Sequence, residues 1–431
     1  MNTFFRTVYE MRRYLLFWLT QLVSGLGSAM TSYALVIWSY EQEGSALVTA
    51  LLMVCTYAPY VLLSVFAGAI SDRWDKKKIL LTCDAVAAAM TLAVLFLLKA
   101  GSLHIWHLYI VNALTGLMNT IQQPAGEVAT TAILPKQHYQ RVGGLSYLSH
   151  SLSSILTPIL ATAVLGLFGM DAVILVDLIS FAAAFLVLAL FIPIPRQEER
   201  PKERESMLRS AAVGIRWLRQ NPGIFHLMLF LAGINLVASM YNAAFPAMML
   251  SRPGAGEIAM GTVNAVVGFT TLIGSIFATL MKSPKSRTRA IWICLMLSMG
   301  TENLLLSVGR TLPVWCIGAF LGWIAIPYMN ANLSAVFRLK IPKEIQGRVF
   351  AARNSFQFFT IPLGYFLGGL LVDRLFEPLM AGAPAEGILT ALFGAGKGSG
   401  AALFFGVLWI AGICVCLLFR GDRAIRELER Q

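Results

Sequence analysis

The sequence predicts an all-α membrane protein with twelve transmembrane helices in two pseudo-symmetric halves of six. Hydrophobic residues make up 57% of the 431 residues and charged residues only 13%, about half of the charged share in soluble domains. Apolar runs of roughly 20 residues, the length that crosses a bilayer, recur along the whole chain. The twelve expected spans are 14–39, 46–70, 78–99, 104–123, 142–167, 171–192, 222–250, 258–281, 290–308, 312–336, 349–372 and 400–419.

The distribution of positive charge gives the expected topology. Twelve spans place both termini and the loops after spans 2, 4, 6, 8 and 10 on one face, and all but five of the 34 basic residues lie there. The exceptions are Lys99, Arg252, Arg310, Arg374 and Lys397. The positive-inside rule assigns the basic face, and with it both termini, to the cytoplasm. The net charge of +12 therefore indicates topology, and no nucleic-acid partner is expected.

Two local features bear on processing and on metal binding. The first apolar run is too long for a cleaved signal and has no small-residue cleavage site after it, so it is expected to be span 1. The six cysteines all lie in spans and form no C-x-x-C pair. They are expected to be small apolar residues of helices, with neither a disulfide nor a metal.

The chain divides into two halves that share a repeated segment. Prolines and alternating charges, followed by an amphipathic stretch, predict a cytoplasmic linker at 193–221 between an N-terminal half, 1–192, and a C-terminal half, 222–431. The segment "LPKQHYQRV" (134–142) after span 4 matches "IPKEIQGRV" (341–349) after span 10. Internal repeats of this kind are typical of transporters, whose substrate path runs between the repeats.

The stretch "FAGAISDRWDKKKIL", residues 66–80, carries six charges within seven residues between two apolar runs. It resembles the signature of the loop between spans 2 and 3 in the major facilitator superfamily. In that family the aspartate meets the amino end of span 11, where the helix dipole favours an anion, and holds the cytoplasmic side closed. The resemblance implies a cytoplasmic gate at Gly68, Asp72, Arg73, Lys76, Lys77 and Lys78. A cluster that only sets topology would explain the lysines, but not the glycine and aspartate at this spacing.

Other segments resemble the drug and siderophore exporters of that superfamily, which include macrolide-efflux and enterobactin-exporter-like proteins. Two of them are "GLMNTIQQPA" in span 4 and "GRVFAARNSFQFFTIPLGYFLGGLLVD" around span 11. The resemblance implies a multi-pass protein of the bacterial inner membrane that exports an amphipathic drug or siderophore by alternating access. It also implies exchange for protons, no cofactor, a monomer, and anionic lipids at the cytoplasmic loops. A lipid or lysophospholipid flippase of the same fold is the alternative.

The same family places spans 1, 4, 7 and 10 around a central cavity, with spans 2, 5, 8 and 11 beside them. On that map the cavity wall is rich in amides and aromatic rings, which suit a bulky amphipathic cargo. The candidates are Gln21, Thr31, Tyr33, Asn112, Asn119, Gln122, Asn235, Asn242, Trp323, Tyr328, Asn332, Asn354 and Gln357, and the wider set adds Ser28, Thr115 and Tyr241. Polar residues in spans also join helices to one another, which is the alternative role of each of them.

Ionisable side chains inside spans are costly in hydrocarbon and often mark functional sites. The candidates for proton coupling are Asp84, Glu127, Asp177, Glu302 and His150. Three of the acids lie on spans 3, 6 and 9, which support the bundle from outside in this family, so contact with cargo is not favoured there. The alternatives are an ion pair with Lys77 or Lys78 for Asp84 and a hydrogen-bonded core position for His150.

Several other features concern the energy source and rival functions. Asn112 stands where many antiporters carry an arginine in span 4, and Thr157 precedes Pro158 where their span 5 has a glycine.

The sequence contains no glycine-rich nucleotide loop with Gly-Lys-Ser/Thr, so ATP-driven transport is not expected. His104 and His107 share a helical spacing but have no third ligand nearby in sequence. Without a metal site or a paired nucleophile and base in the sequence, the protein is not expected to be an enzyme.

Overall fold

The computed structural model of the chain describes residues 3–133, 139–194, 215–342, 349 and 357–428. Within these ranges, the side chains of 3–8, 64–73, 131–132, 139–144, 146–147 and 338 lie outside the description. The described residues form helices and no strand. Nine of the described helices are long and apolar enough to cross a membrane. The all-α membrane class predicted from hydropathy is confirmed.

The helices of the N-terminal part follow the expected spans, with longer ends. Spans 1 to 4 are the helices Thr3–Glu43, Ala46–Arg73, Lys76–Lys99 and Ile105–Ile133. Spans 5 and 6 lie in one run, Tyr139–Phe191, which is interrupted at Gly169. Gly169 has φ 78° and ψ 179°, a conformation that is open to glycine because it has no Cβ. The chain therefore changes direction between two helices within this run.

The helices of the C-terminal part account for the remaining spans. Spans 7, 8, 9 and 12 are Pro222–Ser251, Glu257–Leu280, Arg287–Val308 and Ser399–Arg420, and span 11 is described as Thr360–Leu371. The connection between spans 11 and 12 contains the short helices Glu377–Ala381 and Ile388–Phe393, and Arg423–Glu427 follows span 12. All six cysteines are free thiols.

Span 10 covers the predicted 312–336, and Leu312–Phe337 is long and apolar enough to cross a membrane as one helix. Its hydrogen bonding is interrupted once, between Leu312–Trp323 and Ile326–Lys340, while Ile324 and Ala325 keep right-handed helical φ and ψ. Pro327 has no N–H, so the carbonyl of Trp323 has no donor four residues further on. The break in span 10 is therefore this local interruption of hydrogen bonding within a continuing helix.

Two compact units divide the chain. Unit 1 comprises Met1–Val36 and Cys55–Glu203, and unit 2 comprises Ile37–Val54 and Arg204–Gln431. Unit 2 thus contains the end of span 1 and the start of span 2 together with the C-terminal spans. The linker expected at 193–221 and the two repeated segments lie largely outside the described residues.

Each unit has its own buried apolar contacts. In unit 1, buried residues of spans 1, 3, 4 and 6 form one cluster: Met11, Tyr14, Phe17, Ile79, Leu80, Cys83, Ala125, Ala129, Leu188 and Ile192. In unit 2, Ala50 of span 2 packs with Ala243 of span 7 and Tyr365 of span 11. The start of span 2 is therefore part of the packing of unit 2.

An aspartate at the end of span 11 caps the start of span 2 within unit 2. Asp373 Oδ1 accepts a hydrogen bond from the Ala46 N–H at 2.9 Å, and Oδ2 accepts from the Leu47 N–H at 2.9 Å. The Ser45 hydroxyl also donates to Oδ2, at 2.5 Å. One turn earlier, Gly369 allows the close approach, since a Cβ there would lie 2.7 Å from the Cα of Leu47. This carboxylate satisfies N–H groups that a helix start leaves unpaired.

The same region supplies a second cap. Asp373 lies in a π-helical turn, Val372–Phe376, that follows span 11. Four residues later, Glu377 accepts hydrogen bonds from the Ala401 N–H at 2.9 Å and from the Gly398 N–H at 3.3 Å, at the start of span 12. Burial raises the pKa of the Glu377 carboxyl. Two acids one turn apart thus fix the starts of two spans.

We expect the substitution Asp373→Ala to destabilise the protein by about 1–2 kcal/mol, since it removes a charged cap from the start of span 2. Thermal unfolding of the purified protein in detergent would measure the change. Arg374→Ala is the matched control, because the Arg374 side chain is exposed on the next residue. Equal melting temperatures for the two variants would contradict the capping role.

Candidate functional site

A buried carboxyl in unit 2 connects three spans. Glu302 on span 9 is 6% exposed. Its Oε1 accepts a hydrogen bond from the Tyr241 hydroxyl on span 7 at 2.8 Å and from the Trp323 indole N–H on span 10 at 3.0 Å. Both donors are neutral, and in the described part of the chain no basic side chain pairs with this carboxyl. The site is therefore an acid held by two aromatic donors from two different helices.

The two donors are themselves fixed by their surroundings. The Tyr241 ring stacks on Phe245, with centroids 5.7 Å apart, and meets the Phe405 ring edge-on at 5.2 Å. Trp323 is the last residue before the break in span 10. Tyr241 and Trp323 both belong to the predicted cavity set. Glu302 lies on span 9, one of the outer supporting spans, where the sequence analysis does not favour contact with cargo. The side chain is long enough to reach both residues from span 9.

A second buried acid lies in unit 1. Asp177 on span 6 is 3% exposed, and its Oδ1 accepts from the Ser28 hydroxyl on span 1 at 2.8 Å. It lines a cavity of about 70 Å³ together with Thr31, Asn112 and Thr115. A cavity of this size and polarity has room for a few water molecules. Four predicted cavity residues and one predicted coupling residue thus meet in one place.

Asp84 on span 3 is held by amides. Its Oδ1 accepts from the Gln122 side chain at 2.6 Å, and Gln21 lies within hydrogen-bonding reach as well. The alternative ion pair with a nearby lysine is not formed by Lys77, whose ammonium instead donates to the Ala189 carbonyl at 2.8 Å. These contacts join spans 1, 3 and 4, which favours a packing role for all three polar side chains.

The other two coupling candidates lie at exposed positions. Glu127 on span 4 is exposed, and so is His150 on span 5. The Nδ1 of His150 lies 3.2 Å from the Ser154 hydroxyl, one turn further along the same helix. His150 is hydrogen-bonded as expected, but it lies outside the core. Neither residue has the enclosed surroundings of Asp177 or Glu302.

A sequence model of a known protein family matches most of the chain. The model described as Major Facilitator Superfamily matches residues 17–365. The chain belongs to the Major Facilitator Superfamily. This facilitator is therefore a multi-pass membrane transporter and not an enzyme.

Curated relatives of this facilitator carry names of efflux proteins. It is 26% identical over 362 residues to the macrolide efflux protein A of Streptococcus pyogenes, covering 83% of this chain and 89% of that protein. It is 23% identical to the multidrug efflux pump Tap of Mycolicibacterium fortuitum, covering 82% of this chain and 87% of Tap. It is also 23% identical to the enterobactin exporter EntS of Citrobacter koseri, covering 65% and 66%.

Solved structures show the same fold at low identity. The nucleoside transporter NupG superposes with a TM-score of 0.65 at 11% identity, over 96% of this chain and all of NupG. A bacterial homologue of the lysosomal transporter Spinster, in an inward-facing and unoccupied conformation, gives a TM-score of 0.66 at 13% identity, over 97% of each chain. These comparisons confirm the facilitator fold expected from the sequence.

The remaining cavity candidates of this facilitator have varied surroundings. Asn112 is engaged in packing, because its Oδ1 accepts from the Thr56 hydroxyl at 2.9 Å and its amide donates to the Leu108 carbonyl at 2.8 Å. Asn332 is buried and donates to the Tyr328 carbonyl at 2.9 Å. Among the other candidates, the side chains of Asn119 and Asn242 are exposed, those of Tyr33 and Asn235 are partly buried, and that of Gln357 is buried. Asn354 lies outside the described residues.

The gate motif is described in part. The side chains of Gly68, Asp72 and Arg73 lie outside the description, so their contacts remain predictions. Lys76 donates to the Trp74 carbonyl at 3.1 Å, and Lys78 lies in the first turn of span 3. Asp75, where the family pattern has a second glycine, instead caps span 3 by accepting from the Lys78 N–H at 3.1 Å with φ −61°. The turn before span 3 therefore needs no glycine at this position.

The sequence analysis assigned no role to Arg252, a buried arginine that joins segments of unit 2. Arg252, directly after span 7, is 7% exposed and donates to the carbonyls of Leu306 and Ser307 at 3.2 and 3.4 Å, and to Phe393 at 3.1 Å. Burial, and less strongly the charge of Arg310, lowers the pKa of Arg252 to about 10. The guanidinium therefore stays charged at neutral pH and ties the ends of spans 7 and 9. Its position as an isolated arginine between spans 7 and 8 was the only signal in the sequence.

We expect Gly322→Ala to destabilise the protein by about 1–3 kcal/mol through overpacking. A Cβ at Gly322 would lie 2.5 Å from Glu302 Oε2 and 2.6 Å from Glu302 Cβ, so the carboxyl would have to move. The control is Gly300→Ala on span 9, where a Cβ would meet no atom within 4 Å. Thermal unfolding in detergent would separate the two. A Gly322 variant as stable as the Gly300 variant would contradict the tight contact.

Proposed function

We propose that this facilitator exports an amphipathic small molecule from the cytoplasm by alternating access, in exchange for protons, with Glu302 as the proton-binding residue. Membership of the superfamily and the names of the relatives support transport in the outward direction. The observation that carries the assignment of the proton site is the contact of Glu302 with Tyr241 and Trp323. The protein is placed in the bacterial inner membrane with both termini in the cytoplasm, as the charge distribution favours.

The hydrogen bonds of Glu302 explain how a proton could act on the transport cycle. Both donors bond to Oε1 of Glu302, and such bonds are stronger to an ionised carboxyl than to a protonated, neutral one. Protonation therefore weakens the hold on Trp323, the residue at the break in span 10. A ligand shifts a conformational equilibrium by its different affinity for the two states. The proton would act here as such a ligand, on the position of a broken helix.

Asp177 is the less favoured proton site. Its carboxyl contacts the Ser28 hydroxyl and lies beside a small cavity within unit 1. Ser28 lies in the middle of a helix without a break, Thr3–Glu43. Protonation of Asp177 would therefore alter a contact between two continuous helices, with less consequence for the geometry of either.

Everted membrane vesicles with an acid interior test the export and its coupling. Macrolides, catecholate siderophores, cationic dyes and lysolipids would be added in turn, with a pH-sensitive dye inside. Recovery of the dye's fluorescence with one class would identify proton exchange and the class of cargo together. A response to none of them, in vesicles shown to contain the protein, would contradict proton-coupled export of these classes.

Once the class of cargo is known, we expect Glu302→Gln to reduce the cargo-induced recovery of fluorescence to below about a tenth of that of the unsubstituted protein. The amide keeps an acceptor for Tyr241 and Trp323 but cannot exchange a proton, so exchange of cargo for cargo across the membrane should persist. Glu386→Gln is the matched control, since Glu386 is exposed in the connection between spans 11 and 12. A Glu302 variant that responds like the Glu386 variant would overturn the assignment, and Asp177→Asn and Glu127→Gln would then be the next variants.

We expect Asp72→Asn to impair transport while leaving cargo binding intact, because the predicted gate depends on the charge at the amino end of span 11. Transport in vesicles and cargo binding to the purified protein would be measured side by side. Asp75→Asn is the control, since an asparagine can still cap span 3. Equal transport by both variants would contradict the gate and favour a cluster that only sets topology.

A further inference from the structure

A cavity of about 400 Å³ lies within unit 2, away from Glu302, at the starts of spans 7 and 9 and the end of span 12. Much of its wall is apolar and comes from Leu227, Phe230, Trp292, Ile293 and Phe419. The Phe230 and Phe419 rings lie 5.3 Å apart and join spans 7 and 12. These helix ends belong to the side that the charge distribution assigns to the cytoplasm.

Three arginines line the same cavity: Arg289, Arg420 and Arg426. All three are exposed. The Arg420 guanidinium lies 5.3 Å from the centroid of the Trp292 ring, and Arg426 donates to the Arg420 carbonyl at 3.0 Å. Within the described residues, none of the three has a carboxylate partner. The cavity thus combines apolar walls with three positive charges that form no ion pair with any acid in the described part of the chain.

The one acid of the cavity has both oxygens engaged. Asp422 Oδ2 lies 2.8 Å from Nδ1 of His226, and Oδ1 accepts from the Ile425 N–H at 2.9 Å, which caps the short helix after span 12. This carboxylate is directed to the histidine and to the helix start. It therefore leaves the arginine charges available to a ligand.

We propose that this cavity binds an anionic phospholipid of the leaflet on the termini side, with its phosphate among the three arginines. Guanidinium groups match phosphate oxygens in geometry and charge, and basic pockets between spans at this depth suit anionic headgroups. The acyl chains would follow the apolar, exposed side chains next to the cavity, Ile293 on span 9 and Leu417 and Leu418 on span 12. A free phosphate would use the charges but leave the apolar wall unoccupied.

Native mass spectrometry of the purified protein would test this, with dioleoyl phosphatidylglycerol and dioleoyl phosphatidylcholine supplied in equal amounts. The unsubstituted protein should retain phosphatidylglycerol preferentially. We expect each arginine that contacts the phosphate to contribute about fivefold in affinity, so the pair Arg289→Gln and Arg420→Gln should lower the preference about 25-fold. The matched control is the pair Arg287→Gln and Arg423→Gln, which removes the same charge beside the cavity and should keep the preference.

Two further arms separate the outcomes. The pair Arg289→Lys and Arg420→Lys keeps the charge but not the guanidinium geometry, so it should keep more of the preference than the glutamine pair, which distinguishes a lost site from a misfolded protein. Excess inorganic phosphate should leave the lipid bound, since it cannot replace the acyl contacts. Equal retention of the two lipids, a preference insensitive to the arginine pair, or full displacement by phosphate would each overturn the proposal.

Discussion

Hydrocarbon offers no hydrogen-bond partner, so a buried acid in a span must find its donors within the protein. Two arrangements recur among the described acids. Asp75, Asp373 and Glu377 use backbone N–H groups at the starts of spans 3, 2 and 12. Asp177 and Glu302 use side-chain donors of neighbouring spans. The backbone donors are fixed as long as the helix exists, whereas side-chain donors can turn away, so protonation can rearrange contacts of the second kind more readily.

The helical spans could be predicted from sequence, because length and hydropathy alone decide which segments enter a bilayer. The break in span 10 could not. Pro59, Pro124 and Pro246 lie inside helices that continue past them, so a proline does not by itself predict a break at Pro327. Contacts with neighbouring helices are not visible in the local sequence. Gly274 of span 8 allows a close approach to the Ile324 carbonyl at the break, since a Cβ at Gly274 would meet that oxygen.

The candidate site was predictable in its residue types but not in its pairings. Amides and acids inside spans stand out in the sequence, yet their partners come from distant segments: Tyr241 is 61 residues from Glu302, and Asp373 is 327 residues from Ala46. A map of which spans line a cavity describes backbones, and it does not show that the Glu302 side chain reaches Tyr241 and Trp323 on neighbouring helices. The same map cannot separate Asn112, which joins two helices, from an amide that faces cargo.

If Glu302 is the proton site, as proposed, its position limits the mechanism of coupling. One acid in the cavity that bound either cargo or proton would give exclusion by direct competition. Glu302 is on span 9, is 6% exposed and is hydrogen-bonded to Tyr241 and Trp323, so cargo in contact with those rings would not need to touch the carboxyl. Under this proposal the exclusion would act through the two rings and through the position of span 10. A proton site on a supporting span would then couple by conformation and would leave the cavity wall free to accept cargoes of different shape.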